Sequence, residues 1–392
     1  MWDLEFPRPG RTIRRTPRRP HKKEKPVEAA LETPALIVDL DAVRRNIARM
    51  AAHAAEAGIK LRPHGKTHKS PIFGRMQLAA GAVGLCCQKV GEAQILVEGG
   101  IGDILVTNEI VAPRALARLA DLARFAKIRT VADNAQGIDW IADAAHAAGV
   151  EIGVLVDCDL GHGRTGVAEP AAAVALGRQI ATTPGLRFDG LQAYHGTVQH
   201  VHGFAARAAA VAAANAALAR FIAAFEAAGL PPAIVSGAGT GSFALQAAAG
   251  YTEWQCGTYI FMDKEYRDIG DEAGGAYQPF EQALWVLATV NSTHGPTRVV
   301  VDAGLKSLSL DGGLPEPVDL PGWKFAFGGD EHGKLLRDAA HAAPAPAPAL
   351  GSQLRLLPGH GDTTINLHDA YEIFEGGKHV ATWPVAARGR VK

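Results

Sequence analysis

The apolar positions of the chain fall into two regimes. From Thr33 to about Gly257, a short apolar run is followed repeatedly by an Ala-rich stretch with helical periodicity, the signature of a parallel α/β architecture. Strands are predicted at residues 35–39, 60–63, 83–87, 104–107, 128–132, 152–158, 190–195, 233–237 and 253–260. That is nine, one more than a closed barrel holds. Between them, Val43, Ile47 and Met50 share one helical face behind Asp41, a residue able to cap, and residues 205–228 are almost entirely helix formers. The pattern predicts an α/β fold, a (β/α)8 TIM barrel with the first strand leading into it. An open doubly wound sheet would carry a Gly-rich dinucleotide turn after its first strand, and this chain has none there.

Beyond about Phe280 the pattern changes to strands without long helices, at residues 284–291, 298–302, 353–357 and 363–367. A β domain is therefore expected over residues 276–392, after a barrel over residues 31–275. Within it, residues 341–349 alternate Ala and Pro and are too Pro-rich to pair in a sheet, which makes them a surface loop. Residues 1–30 are basic and Pro-rich, with Arg14-Arg15, Arg18-Arg19 and Lys22-Lys23. No apolar stretch follows, so they read as a solvated arm leading in rather than a secretory signal.

At 392 residues the chain exceeds the usual size of one core, in keeping with two units. Forty Lys plus Arg balance forty Asp plus Glu, so no net field draws in nucleic acid or membrane, and a small-molecule partner is expected. No run approaches the roughly 20 uninterrupted apolar residues of a spanning helix. Cys86, Cys87, Cys158 and Cys256 lack CxxC spacing and sit in apolar runs, which predicts buried thiols in a reducing, cytoplasmic setting.

Three segments carry candidate chemistry. Lys66, in Leu61-Arg-Pro-His-Gly-Lys66, follows a short strand, where barrel enzymes present reactive groups, although a loop lysine is equally at home in solvent. Ser236-Gly-Ala-Gly-Thr-Gly-Ser242 and Cys256-Gly-Thr-Tyr259 close two adjacent strands. They offer backbone N–H groups to a phosphate, or else are tight packing turns. In Pro358-Gly-His-Gly-Asp362, an extended backbone would put His360 and Asp362 on one side to grip a cation. One nitrogen and one hard oxygen donor suit Mg or Mn better than structural zinc, but such a pair also arises by chance.

Taken together, Arg62-Pro-His-Gly-Lys66, Gly190-Leu-Gln-Ala-Tyr-His-Gly196, Val301-Asp-Ala-Gly-Leu-Lys306 and the His-x-Asp pair resemble the fold-type III pyridoxal 5'-phosphate (PLP) enzymes with an alanine-racemase-like barrel. The branch resembled is that of D-threonine aldolase, D-3-hydroxyaspartate aldolase and D-serine dehydratase. Cys86-Cys-Gln-Lys-Val-Gly-Glu-Ala93, Val106-Thr-Asn-Glu-Ile110, Gln255 to Asp263 and the tail from Trp383 to Gly389 look closest to the D-3-hydroxyaspartate aldolases.

The resemblance implies that Lys66 holds PLP, with Gln88 at its phenolic oxygen, Tyr194 at its ring and Arg164 facing its pyridine nitrogen. Gly239, Thr240, Gly241, Gly257, Thr258 and Tyr259 would hold the phosphate. A divalent metal, Mg or Mn, would sit on His360 and Asp362, and His200 would be the catalytic base, with His195 and His202 as competitors. The implied reaction is retro-aldol cleavage of a D-β-hydroxy-α-amino acid to glycine and an aldehyde, in a homodimer with the active site near the subunit interface. The alternatives are dehydration, for which relatives typically have Cys where this chain has Asp362, and racemisation, which needs a β-domain tyrosine such as Tyr371 or Tyr277. A non-catalytic PLP carrier would typically be a barrel without a β domain.

Overall fold

The computed structural model describes residues 31–293 and 295–392, so the basic arm of residues 1–30 lies outside the described residues. In chain order the strands are β1 (Ala35–Asp39), β2 (Lys60–Leu61), β3 (Leu85–Cys87), β4 (Asp103–Glu109), β5 (Lys127–Ala132), β6 (Ile152–Asp157), β7 (Leu186–Ala193), β8 (Ile234–Gly237) and β9 (Glu253–Trp254). The helices are α1 (Leu40–Ala57), α2 (Pro71–Ala79), α3 (Val90–Glu98), α4 (Pro113–Leu122), α5 (Ala135–Ala148), α6 (Pro170–Thr182) and α7 (Phe204–Ala227), followed by α8 (Lys264–Asp268) and α9 (Gly361–Ile365). Strands β2 to β9 form one parallel eight-stranded sheet in the order β2-β9-β8-β7-β6-β5-β4-β3. Its two ends meet through Val83 N–H to Leu61 O, Cys86 N–H to Pro63 O and Gly65 N–H to Cys86 O. The predicted barrel is present.

The floor of that barrel is ionic. Arg62 donates to Glu253 through Nε and Nη2 and to Asp103 through Nη1. Arg129 joins Asp103 to Asp189, and Arg187 closes the row on Asp189. The side chains of Arg62 and Glu253 are only 2% and 5% exposed, so each charge depends on its partners for solvation. Glycines make room for the guanidinium groups. A Cβ on Gly84 would lie 2.3 Å from Arg62 Nη1, and one on Gly153 would lie 2.3 Å from Asp189 Oδ2. Two residues further along the strands, Cys86, Leu105, Val131 and Leu155 form a separate apolar cluster above the ions.

The helices coat the outside. Asp39, the last residue of β1, caps α1 by accepting from Asp41 N–H and Ala42 N–H, so Asp41 stands in the first turn and is not the cap. By length and composition α7 is apolar enough to cross a membrane. It is nevertheless the helix between β7 and β8, and it buries Val211, Leu218, Phe221 and Phe225.

The remaining strands are β10 (Leu284–Thr293), β11 (Arg298–Val301), β12 (Glu316–Pro317), β13 (Trp323–Phe327), β14 (Gly333–Arg337), β15 (Gln353–Leu357), β16 (Ala370–Glu375) and β17 (Lys378–Pro384). With β1 they make a nine-stranded sheet whose main path runs β13-β14-β11-β10-β1-β16-β17. The strand at Ala35 thus stands in the middle of the β domain, antiparallel to β10 and parallel to β16, which resolves the ninth strand of the sequence pattern. Its run Leu36-Ile37-Val38 is buried on both faces and needs a neighbour on each side. Residues 341–349 form a loop pinned by Trp323 Nε1 donating to Ala345 O. Residues 363–367, expected as a strand, lie in and just after α9. His360 ends the extended segment there, and Asp263 Oδ2 accepts from Gly361 N–H to start the helical turn.

Gly153→Ala should cost roughly 1–3 kcal/mol by overpacking, because Asp189 is pinned by two arginines and cannot step aside. Urea unfolding will measure it; an unchanged midpoint would show that the floor has slack.

Candidate active site at the carboxyl end of the barrel

Lys66 lies in a tightly fixed loop between β2 and α2. Gly65 N–H bonds Cys86 O, Lys69 N–H bonds Gly65 O, and Lys66 N–H approaches His64 Nδ1 at 3.4 Å. The β domain holds the same loop from the other side, as Tyr371 OH donates to His68 O and Ala387 N–H to Lys69 O. The two lysines then diverge. Lys69 is buried and gives its Nζ to Glu92 Oε1 at 2.5 Å, and Glu92 Oε2 accepts from the backbone N–H of Gln88 and Lys89. Lys66 points into a cleft of about 620 Å³, its Nζ 3.9 Å from Asp362 Oδ2.

That cleft gathers Lys66, Gln88, Arg164, Tyr194 and His200 with Gly239, Thr240, Gly257, Thr258, His360 and Asp362. Gly241 and Tyr259 are not among its lining. Gly241 gives its N–H to Gln199 Oε1. Tyr259 gives its N–H to Thr240 Oγ1, and its ring is buried with the hydroxyl accepting from Gln77. Gly239 also spends its N–H, on Ser242 Oγ. The N–H groups of Thr240, Gly257 and Thr258 have no partner among the described residues. Beside them, Thr67 Oγ1 is buried and unpaired, 2.5 Å from where a Cβ on Gly257 would stand. Three free donors, a free hydroxyl and a glycine wall suit a phosphate, and with Lys66 in the same cleft the residues fit a PLP molecule.

Arg164 rides on a loop after β6 that turns at Gly161, Gly163 and Gly166, all with positive φ. Asp159 Oδ1 accepts from the N–H groups of Gly161, His162 and Gly163, and Thr165 Oγ1 donates to Asp157. Burial, followed by the neighbouring Glu109 carboxyl, pushes Asp157 well above the usual carboxylate range. The Arg164 guanidinium carbon stands 5.7 Å from the Tyr194 ring centroid. Burial raises the Tyr194 hydroxyl, while Lys66 and Arg164 pull it back. Burial and then Lys66 hold His64 neutral, well below its ordinary value.

On the β-domain side, His360 and Asp362 line the cleft from a strand-to-helix turn and not from the extended pair predicted. His360 is the extended N-cap of α9, and Asp362 is in its first turn. Asp362 Oδ1 is buried and unpaired. Burial lowers the His360 imidazole, but the carboxylates of Asp362, Asp263 and Asp311 outweigh it and the net shift is upward. Burial pushes Asp263 up to about 6. No group of three or more His, Cys, Asp or Glu side chains able to hold a metal occurs among the described residues.

Of the three candidate bases, only His200 reaches the cleft. Its Nδ1 lies 3.1 Å from Glu265 Oε1, off the line of a good hydrogen bond, and its ring rests on Tyr266 with centroids 5.0 Å apart. His195 instead stacks on His162, and His202 is exposed. Both tyrosines considered for racemisation are occupied elsewhere, Tyr371 on His68 O and Tyr277 on Thr240 O.

His64, Thr67, Thr107, Gln192, Gln255 and Tyr266 also line the cleft and were not singled out from the sequence. Strand alternation could have found three of them. His64 is two residues before Lys66, Gln192 two before Tyr194 and Gln255 two before Gly257.

A parallel barrel whose lysine-bearing loop is held by a C-terminal β domain is the architecture of alanine-racemase-like proteins. The model of the alanine racemase N-terminal domain matches residues 38–265, and that of a putative serine dehydratase domain matches residues 283–374. The chain belongs to this family, in the branch that holds the D-threonine and 3-hydroxy-D-aspartate aldolases. It is 42% identical over 362 residues to a D-threonine aldolase of Arthrobacter sp, covering 92% of this chain and 94% of that protein. It is likewise 42% identical over 368 residues to a 3-hydroxy-D-aspartate aldolase of Paracoccus denitrificans, covering 93% and 94%. The crystal structure of D-threonine aldolase from Filomicrobium marinum superposes with a TM-score of 0.87 at 42% identity, covering 93% of this chain and 97% of that one.

Two outcomes follow from this geometry. PLP-loaded protein should lose its visible absorbance and its borohydride-fixed adduct in Lys66→Ala; a reducible adduct persisting on Lys69 would refute the assignment. Burial also pushes His68 down to about 4, against roughly 6.5 in an unfolded chain. Between those values the unfolded chain binds a proton that the folded one refuses, so stability falls as pH drops from about 6.5 toward 4. In His68→Gln that part of the acid slope of the melting temperature should vanish, and an unchanged slope would place the titration elsewhere.

Proposed function

We propose that the chain is a lyase that cleaves D-configured β-hydroxy-α-amino acids, D-3-hydroxyaspartate or D-threonine, to glycine and glyoxylate or acetaldehyde. The observation that carries this reading is the approach of Lys66 Nζ to Asp362 Oδ2 at 3.9 Å, with His200 in the same cleft. An amino-group site and a hydroxyl site are thereby set one substrate apart.

Lys66 would hold PLP through its amino group, and the backbone N–H groups of Thr240, Gly257 and Thr258 with the Thr67 hydroxyl would hold the phosphate. PLP supplies the electron sink for the pair left on Cα when the Cα–Cβ bond breaks. Arg164, a permanent cation in the cleft, would face the pyridine nitrogen and disfavour its protonation, which would shift more of the driving force to the β-hydroxyl. A divalent cation, Mg or Mn, held by His360 and Asp362 would supply a Lewis acid able to lower the pKa of that hydroxyl. With Nδ1 turned to Glu265, His200 takes the hydroxyl proton at Nε2. The proton lost from oxygen is matched by one returned to Cα, and glycine leaves.

The family resemblance further supports a homodimer with the active site near the subunit interface, and the four buried free thiols are in keeping with the cytoplasm. Dehydration is the competing reading, since the same cation could expel the hydroxyl.

Aldehyde release from D-3-hydroxyaspartate, D-threonine, D-serine and their L-forms tests the proposal. Glyoxylate from D-3-hydroxyaspartate or acetaldehyde from D-threonine is expected, with none from the L-forms, and a 2-oxo acid with ammonia as the main product would overturn it. Chelation or Asp362→Ala should stop cleavage while PLP absorbance is kept. Cleavage at an undiminished rate would make the His-x-Asp pair structural.

A further inference from the structure

The β domain carries a second loop, between β11 and β12, that presses directly on the turn bearing His360. Glycines permit the approach from both sides. A Cβ on Gly312 would lie 2.6 Å from His360 Cβ, and one on Gly359 would lie 2.2 Å from Gly313 O. At the head of this contact stands Asp311. Its Oδ2 is 2.7 Å from His360 Nδ1, and its Oδ1 accepts from Thr363 Oγ1 at 2.8 Å. Ser309 reinforces the same seam, its Oγ lying 2.8 Å from Thr363 Oγ1 and donating to His360 O. One carboxylate thus grips the residue on each side of the Gly361-Asp362 step.

We propose that Asp311 is a positioning residue for the cation site, fixing the tautomer and ring plane of His360 and the turn that carries Asp362. The inference rests on the reading of His360 and Asp362 as the cation ligands. With Nδ1–H donating to Asp311, Nε2 is the nitrogen left with a lone pair, and it is the one that ligates. An imidazole backed by a carboxylate is a better donor than a free one, because the partner orients the ring and raises its basicity. Asp311 also adds negative charge to the cation's surroundings without occupying a coordination position.

The test is Mn2+ binding to the PLP-loaded protein, read from the electron paramagnetic resonance signal of free Mn2+. Loss of such a partner typically costs 10- to 100-fold in affinity. The Asp311 side chain is 49% exposed, so the lower end of that range, about tenfold, is expected for Asp311→Ala. Asp311→Asn keeps one acceptor oxygen and should fall between wild type and Asp311→Ala, with the cofactor absorbance unchanged in both. Manganese affinity within twofold of wild type in Asp311→Ala would overturn the proposal. If Asp311→Ala does not fold, wild-type affinity in Asp311→Asn would do the same. His360→Ala separates the two layers of the argument. If wild type has no Mn2+ site that His360→Ala removes, the pair is not a cation site and the reading beneath the inference falls with it.

Discussion

The row of ions in the barrel floor is the constraint on which the rest of the molecule depends. Arg62, Asp103, Glu253, Arg129 and Asp189 come from five different segments, and each reaches its partners in one strand register only. A slip of one residue would turn a charge toward the helices and leave its partner buried alone, at a cost of roughly 3–5 kcal/mol. Replacing the whole row with apolar side chains could be as stable. What the ions supply is a fixed register. Arg62 and His64 are two residues apart along one extended segment, so the register that seats Arg62 in the floor also sets the turn carrying Lys66 at the mouth.

Much of the architecture was legible in the sequence because the barrel repeats one unit, and each repeat reads as a short apolar run before a helix. The place of the first strand was not legible, since Leu36-Ile37-Val38 is as apolar as any barrel strand and only its partners near Val286 and Tyr371 reveal its sheet. The β domain was read poorly for a related reason. Its strands β13, β14 and β16 mix exposed and buried positions, β17 buries none, and Thr363-Thr364-Ile365 is β-branched yet helical because Asp263 starts a turn there.

Within the cleft, residues embedded in sharp motifs stood out while those contributed by strand alternation did not. Gln192 in β7 and Gln255 just after β9 bond each other across β8, whose Ser236 is a third member. No local pattern marks them, because their partners are 63 residues apart. Gly241 shows the opposite effect. Its motif proposes a phosphate donor, yet its N–H belongs to Gln199, a residue brought in by the 3-10 turn that also carries His200. The Gly239–Gly241 turn and His200 are thereby held by one element, as His200 and the turn bearing His360 are held by another: α8 carries Glu265 toward His200 and pins residues 358–359 by its backbone.

The central position of β1 bears on how the protein is made. A ribosome adding roughly 5–20 residues per second delivers Leu36 tens of seconds before Tyr371, its neighbour in the finished sheet. Once Trp254 has been added the barrel has all its strands, while β1 still has an open hydrogen-bonding edge where β16 will pair and an apolar side chain on each face. The nascent chain therefore carries a completed cofactor-binding half beside a sticky, unfinished one. Because His360 and Asp362 also emerge late, the catalytic halves meet only when synthesis is nearly over.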